Sequence, residues 1–280
     1  MGDIQVLGVI GAGQMGAGIA QAGAQAGIPV LLVDVSEEVL KRAVGGIRKS
    51  LAKLAEKGKV QNPEEVASRI KSSTRLEDLA TCDFIIEAIT ENEAIKFETF
   101  AKLDKIAPPE IVLASNTSSI SITRLAGKTK HPDKVIGMHF MNPVPMMELV
   151  EIIRGLQTSD ETYRITKALA EKMGKTTVLS KDSAGFIVNR ILVPMINEAI
   201  FALHQGLGTA EDIDKAMKLG THMPMGPLAL ADLVGLDTVL WVLEVFHESF
   251  GDKFKPCPLL KQYVDAGWLG RKTGRGFYTY

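Results

Sequence analysis

Gly11-Ala12-Gly13-Gln14-Met15-Gly16 stands between a short apolar run, Val6-Leu7-Gly8-Val9-Ile10, and a stretch where Met15, Ile19, Ala22, Gly23 and Ala26 recur at helical spacing. A run that is apolar at every position reads as a strand buried on both faces, the habit of parallel sheets. Gly27 and Pro29 end the helix, and Val30-Leu31-Leu32-Val33 follows as a second run of the same kind. One βαβ unit with a glycine-rich first turn is therefore expected. Gly11 permits the tight bend, Gly13 lets a pyrophosphate approach the backbone, and Gly16 lets helix and strand pack closely. Gln14 and Met15 open the helix, whose first amides are donors for phosphate charge. Asp34 ends the second run about twenty residues on, where a carboxylate accepts from a ribose 2′-hydroxyl and repels a 2′-phosphate. Glycine turns without a ligand are common, but strand, helix and Asp34 together favour a bound dinucleotide. NAD is expected before NADP, although Lys41 and Arg42 on the next helix leave a phosphate partner within reach.

The alternation continues down the chain. A helix is expected over 36–57, an apolar run at Phe84-Ile85-Ile86, a helix near 94–106 and another run at Ile111-Val112-Leu113-Ala114. A helix over 160–173 precedes Thr176-Thr177-Val178-Leu179, which reads as the last strand. Beyond Gly185 strand signals fade. Residues 186–204 are apolar at helical spacing with Pro194 inside, which predicts a kink because proline cannot donate to the carbonyl four residues back. Further helices begin near Thr209, Gly226 and Leu236. The fold class is α/β: a Rossmann-type, doubly wound, mostly parallel sheet over residues 1–185, followed by an all-α C-terminal domain over 186–280.

Composition excludes several function classes. The 32 basic and 33 acidic side chains leave a formal charge of -1 with no dense basic block, so no nucleic-acid partner is expected. No apolar run approaches the roughly 18 residues that a membrane span needs, so no membrane partner is expected either. Cys82 and Cys257 match no redox or metal spacing, and the first residues run into a strand without a signal peptide. A soluble protein of the reducing cytoplasm follows. His131, His139, His204, His222 and His247 show no ligand spacing, so no metal is expected.

Three later segments bear on chemistry. Ser115-Asn116-Thr117-Ser118-Ser119 follows a strand at its carboxyl end, where open α/β sheets bind ligands; taken alone, it reads more readily as an ordinary cap before Ile120. Val135-Ile136-Gly137-Met138-His139-Phe140 is an apolar run carrying a histidine near its end. Met147-Glu148-Leu149-Val150-Glu151-Ile152-Ile153 alternates so that Glu151 shares a face with Leu149 and Ile153. A carboxylate on an apolar face needs a partner, and His139 is available on the preceding strand. An imidazole oriented by a carboxylate takes a hydroxyl proton near neutral pH, as removal of a hydride from a carbinol carbon requires. Ser118 would hold the same oxygen. A purely structural His–Glu pair remains the other reading of these residues.

Taken together, the glycine loop with Asp34, the 115–119 stretch, Gly137-Met138-His139-Phe140-Met141-Asn142-Pro143, Asp182-Ser183-Ala184-Gly185-Phe186-Ile187-Val188-Asn189-Arg190, Met225-Gly226-Pro227-Leu228 and Lys272-Thr273-Gly274-Arg275-Gly276-Phe277-Tyr278 resemble, in order and nearly end to end, the 3-hydroxyacyl-CoA dehydrogenase family. The likeness is strongest to its short 3-hydroxybutyryl-CoA dehydrogenase members. It implies NAD-dependent interconversion of 3-hydroxyacyl-CoA and 3-oxoacyl-CoA, with His139 as acid/base, Glu151 orienting it, and Ser118 and Asn189 binding the reacting substrate. It implies further that Glu91, Lys96, Ser118, Asn142 and Lys272 line the NAD site, and that Ser50 and Lys57 meet the CoA moiety. Without the resemblance Lys57 reads as a solvated helix lysine and Asn189 as an exposed amide. The likeness also implies a homodimer through the C-terminal helices and a place in butyrate-type or fatty-acid metabolism. Met195, Ile196, Phe201, Leu228, Leu230, Leu233, Trp241 and Phe246 offer apolar surface for such an interface, or pack in one intrachain core. Two alternatives stay open: a free-hydroxyacid dehydrogenase of similar fold, which would need an anion clamp near His139, where the nearest arginine, Arg154, continues the strand alternation opposite Glu151, and a non-catalytic NAD-binding protein.

Overall fold

The computed structural model describes residues 4–280, and internal contacts divide the chain into two compact units, one ending at Asp182 and one running Ser183–Tyr280. The first unit begins with β1 (Leu7–Ile10), α1 (Gln14–Gln25), β2 (Val30–Val33), α2 (Glu37–Glu56), α3 (Pro63–Ser68) and β3 (Ile70–Ser73). It continues with β4 (Phe84–Glu87), α4 (Glu93–Ile106), β5 (Val112–Ser115), α5 (Ile122–Ala126), β6 (Val135–Phe140), β7 (Leu149–Arg154), α6 (Asp160–Lys172) and β8 (Thr176–Lys181). The strands form one sheet in the order β3-β2-β1-β4-β5-β6-β7-β8. All neighbours are parallel except β6 and β7, which are antiparallel. The order reverses between β1 and β4, so the loops leaving these two strands flank the crevice where doubly wound sheets take their ligands.

The apolar runs form strands because helices cover the sheet. Leu7, Val9, Phe84, Ile86, Ile136 and Met138 share a buried cluster with Ile19 of α1, Leu40 and Ile47 of α2 and Leu169 of α6. The opposite face of β6 lies under α5: a side chain on Gly137 would press against Ile122 and Ile153. In α2 the spacing of Leu40, Ala43, Ile47 and Leu51 makes one buried stripe, and each large side chain on it contributes about 1.5–3 kcal/mol by leaving water. Ser36 caps that helix by accepting from Val39 N, with Glu37 and Glu38 in the first turn.

The second unit is helical: α7 (Val188–His204), α8 (Ala210–Thr221), α9 (Pro227–Val234), α10 (Leu236–Phe250) and α11 (Pro258–Asp265). Ile196, Leu228 and Phe246 are buried in its core, whereas Leu233 and Trp241 are exposed. The helix expected from residue 186 starts at Val188, because Gly185 and Phe186 take positive φ and turn the chain first. Pro194 lies inside α7. Among the described residues no helix is long and apolar enough to cross a membrane.

Candidate active site

The glycine turn shows which glycines serve the fold and which leave room for a ligand. Gly11 has φ +93°, and a Cβ there would lie 2.6 Å from the Ala88 carbonyl oxygen at the end of β4. A Cβ on Gly16 would fall 1.7 Å from the Gly11 oxygen. Gly13 differs: a Cβ on it would meet nothing within 4 Å. Gly13 is also the N-cap of α1, which has neither a side-chain cap nor an acidic residue in its first turn. Within the first unit α2, α4, α5 and α6 are capped by side chains, from Ser36, Asn92, Ser121 and Ser159, and α3, uncapped, opens on Pro63 with Glu64 and Glu65 in its first turn. An uncapped helix start with open space before it suits a phosphate. Asp34 steadies the turn, accepting from Ala12 N at 2.8 Å and Ser36 N at 3.0 Å, and its remaining lone pairs fit a ribose. These residues fit NAD.

A cavity of about 570 Å³ lies beside this turn, with Gly13, Gln14, Ser50 and Asn142 on its wall. The Asn142–Pro143 peptide is cis. Lys57, one residue past the end of α2, faces a second cavity of about 380 Å³ together with Lys59 and Lys175. Lys175 donates to the Val144 and Met147 carbonyls, and its burial lowers its pKa against the pull of Glu148.

The antiparallel turn from β6 to β7 sets His139 directly opposite Glu151. The Nδ1–Oε2 separation is 2.8 Å, with Glu151 fully buried and His139 7% exposed. A carboxylate only accepts, so this bond assigns the Nδ1 proton to the imidazole and leaves Nε2 as the acceptor. Glu151, which alternation placed on an apolar face, thus meets His139 of the preceding strand.

Ser118 sits in a loop organised by Glu91. One Glu91 oxygen, Oε1, accepts from Thr117 Oγ1 at 2.5 Å, Ser118 N at 2.8 Å, Ser118 Oγ at 3.2 Å, and Ser119 N and Oγ at 3.2 and 3.1 Å. Burial pushes the Glu91 carboxyl up, but the Lys96 ammonium and the loop donors outweigh it and hold the group below the usual carboxylate range. The loop is therefore a nest around an anion, not only a cap before Ile120. Lys96 lies beneath this loop, 1% exposed, its Nζ 2.5 Å from Glu87 Oε1. Asn116 Oδ1 accepts from Phe140 N, tying the loop to the strand end that carries His139.

Asn189 and Lys272 belong to the second unit. Asn189 stands in the first turn of α7, partly exposed, and Lys272 Nζ donates to Asp237 Oδ2 at 2.6 Å. Asp182, quoted above as part of a helix-start motif, instead caps α5: it accepts from Ser121 Oγ, Ile122 N and Thr123 N. Glu87 lies outside the segments that the sequence marks for chemistry. For Glu87 the available signal was a charge closing an otherwise apolar run, Phe84-Ile85-Ile86-Glu87.

Comparison with known proteins adds to this geometry. Residues 6–183 match the family model described as "3-hydroxyacyl-CoA dehydrogenase, NAD binding domain", and residues 185–280 match "3-hydroxyacyl-CoA dehydrogenase, C-terminal domain". The chain is similar to the probable 3-hydroxybutyryl-CoA dehydrogenase of Bacillus subtilis, 55% identical over 99% of this chain and 98% of the relative. It is 54% identical to the 3-hydroxybutyryl-CoA dehydrogenase of Bradyrhizobium diazoefficiens, over 99% of this chain and 96% of that one. The crystal structure of (S)-3-hydroxybutyryl-CoA dehydrogenase from Ralstonia eutropha superimposes with a TM-score of 0.97 at 50% identity, covering 99% of both chains.

Proposed function

This chain belongs to the 3-hydroxyacyl-CoA dehydrogenase family, and from that premise we propose that it interconverts (S)-3-hydroxybutyryl-CoA and acetoacetyl-CoA with NAD(H). The observation that carries this reading is the buried His139–Glu151 pair. In the oxidative direction His139 Nε2 takes the substrate hydroxyl proton while C3 gives up its hydrogen with the bonding pair. NAD, when bound, is the acceptor of that hydride. Glu151 stabilises the imidazolium as it forms, and Ser118 and Asn189 hold the reacting oxygen. Gly11, Gly13, Gln14, Met15, Gly16 and Asp34 hold the dinucleotide, with Glu91, Ser118, Asn142 and Lys272 toward its nicotinamide half and Lys96 acting through Glu91. Ser50 and Lys57 receive the CoA moiety, Lys57 by attraction for phosphate.

The free-hydroxyacid alternative is disfavoured by Arg154, the arginine nearest the pair in sequence. Its guanidinium is held by Asp160 at 2.7 Å and the Thr158 carbonyl at 2.8 Å, so it offers no clamp for a substrate carboxylate. The exposure of Leu233 and Trp241 supports a homodimer through the C-terminal helices, the two buried free thiols suit the cytoplasm, and the proposed acetoacetyl-CoA substrate suits butanoate-type metabolism. Absorbance at 340 nm tests the reaction. Purified protein is expected to oxidise NADH with acetoacetyl-CoA but not with free acetoacetate, and His139→Ala is expected to lose about 10²–10⁴-fold. Comparable turnover of free acetoacetate would overturn the CoA-ester reading. Light scattering tests the dimer, with Trp241→Asp expected to give monomer.

A further inference from the structure

Two carboxylates and one ammonium lie under the Thr117-Ser118-Ser119 loop. Glu87, the last residue of β4, is fully enclosed, and Lys96 nearly so. Lys96 Nζ stands 2.5 Å from Glu87 Oε1 but 3.4 Å from Glu91 Oε2. Glu87 is itself fixed: Ser115 Oγ donates to its Oε2 at 2.7 Å and Ile89 N to its Oε1 at 2.8 Å. Two formal negative charges and one positive leave the cluster with an excess negative charge. The strand end does not require it. Glutamine at this position would accept from Lys96 and Ile89 through one atom and meet Ser115 with the other, and burying unbalanced charge is costly.

Such a charge has a use where a positive charge comes and goes. The nicotinamide ring is cationic in NAD⁺ and neutral in NADH. We propose that Glu87 is a positioning residue: it draws Lys96 away from Glu91, leaves Glu91 an under-neutralised anion bonded to Ser118, and so biases the protein toward the oxidised cofactor. This rests on the reading of Ser118 as the group that holds the reacting oxygen. The ring then lies beside the same loop, because hydride donor and acceptor carbons must approach to about 3–3.5 Å. Glu91 is pinned there by five donors of the loop, while Lys96 stands nearer to Glu87 than to Glu91. One unit charge about 10 Å from the ring, at an effective dielectric near 20, changes the relative affinity for the two cofactor states by about tenfold.

The test is a pair of binding titrations, NAD⁺ and NADH, followed by protein fluorescence on the full chain without any acyl-CoA. Glu87→Gln keeps the volume, still accepts from Lys96 and Ile89 through its oxygen, reverses the Ser115 bond so that its amide nitrogen donates, and removes one negative charge; it is expected to shift the Kd ratio about tenfold in favour of NADH. Lys96→Met removes the cation instead and is expected to shift the ratio toward NAD⁺. Either variant decides the question if the other does not fold. A ratio within about twofold of the parent in a folded variant, or equal weakening of both nucleotides, would overturn the proposal by making the cluster merely structural. Failure of acetoacetyl-CoA turnover would strike the substrate reading alone, since no substrate enters these titrations.

Discussion

Replacing Glu151 with glutamine probes the His139 pair without changing its size. When His139 receives the hydroxyl proton, an imidazolium forms against a fully buried carboxylate whose Oε2 is 2.8 Å from Nδ1. With charge centres about 4 Å apart and an effective dielectric near 20, the attraction is about 4 kcal/mol. A glutamine oxygen retains a hydrogen bond but loses most of that attraction, so roughly 3 kcal/mol of transition-state stabilisation should go, about a hundredfold in kcat. A second effect acts in the same direction. Glu151 can only accept and so keeps the proton on Nδ1, whereas a glutamine amide can also donate to Nδ1 and place the proton on Nε2, where it blocks the base. The assay is steady-state oxidation of (S)-3-hydroxybutyryl-CoA, read as NADH formation at 340 nm, with circular dichroism to verify the fold and a separate titration of NADH. We expect kcat to fall about a hundredfold or more and NADH affinity to hold. A folded variant with kcat within threefold of the parent would refute the reasoning and leave the pair a structural one.

Gly13→Ala should leave the melting temperature within a degree or two, because its Cβ meets nothing, yet weaken NADH binding by tenfold or more if a pyrophosphate occupies that space; Gly16→Ala, with a Cβ 1.7 Å from the Gly11 oxygen, should lower the melting temperature by several degrees. Equal effects of the two on calorimetry would refute this division of roles. Asp34→Ala should raise the KM for NADH about tenfold and improve the use of NADPH relative to NADH, and an unchanged cofactor preference would remove Asp34 from the ribose site. The Cys82 thiol is pushed up to about 11, chiefly by burial and then by Asp83, and burial raises Cys257 as well. Both should resist a thiol reagent at pH 8 until denaturant is added. Because the unfolded Cys82 thiol releases its proton from about pH 9 and the folded one only near 11, its contribution to stability should fall as pH rises across that interval; rapid native labelling would contradict the burial.

The sequence by itself determined whatever depends on neighbours a few residues apart. The runs at β1, β2, β4 and β5, the helix stripe Leu40, Ala43, Ile47 and Leu51, the glycine turn and the position of Glu151 on an apolar face all follow from periods of two or 3.6 and from backbone sterics. Only the tertiary structure decided which distant groups meet. Strand β3, Ile70–Ser73, carries no apolar run, since an edge strand is held by backbone bonds to β2 and its two central residues are exposed. The antiparallel return of β7 put Glu151 opposite His139. A parallel return would have set a different register on the same residues. Asp182 caps a helix some sixty residues earlier in the chain, and the Ser118 loop meets Glu91 across 27 residues of sequence. Charges and hydroxyls carry no period of their own. Their partners are fixed by the path of the whole sheet, because burial leaves each of them to be satisfied by whatever group the fold delivers.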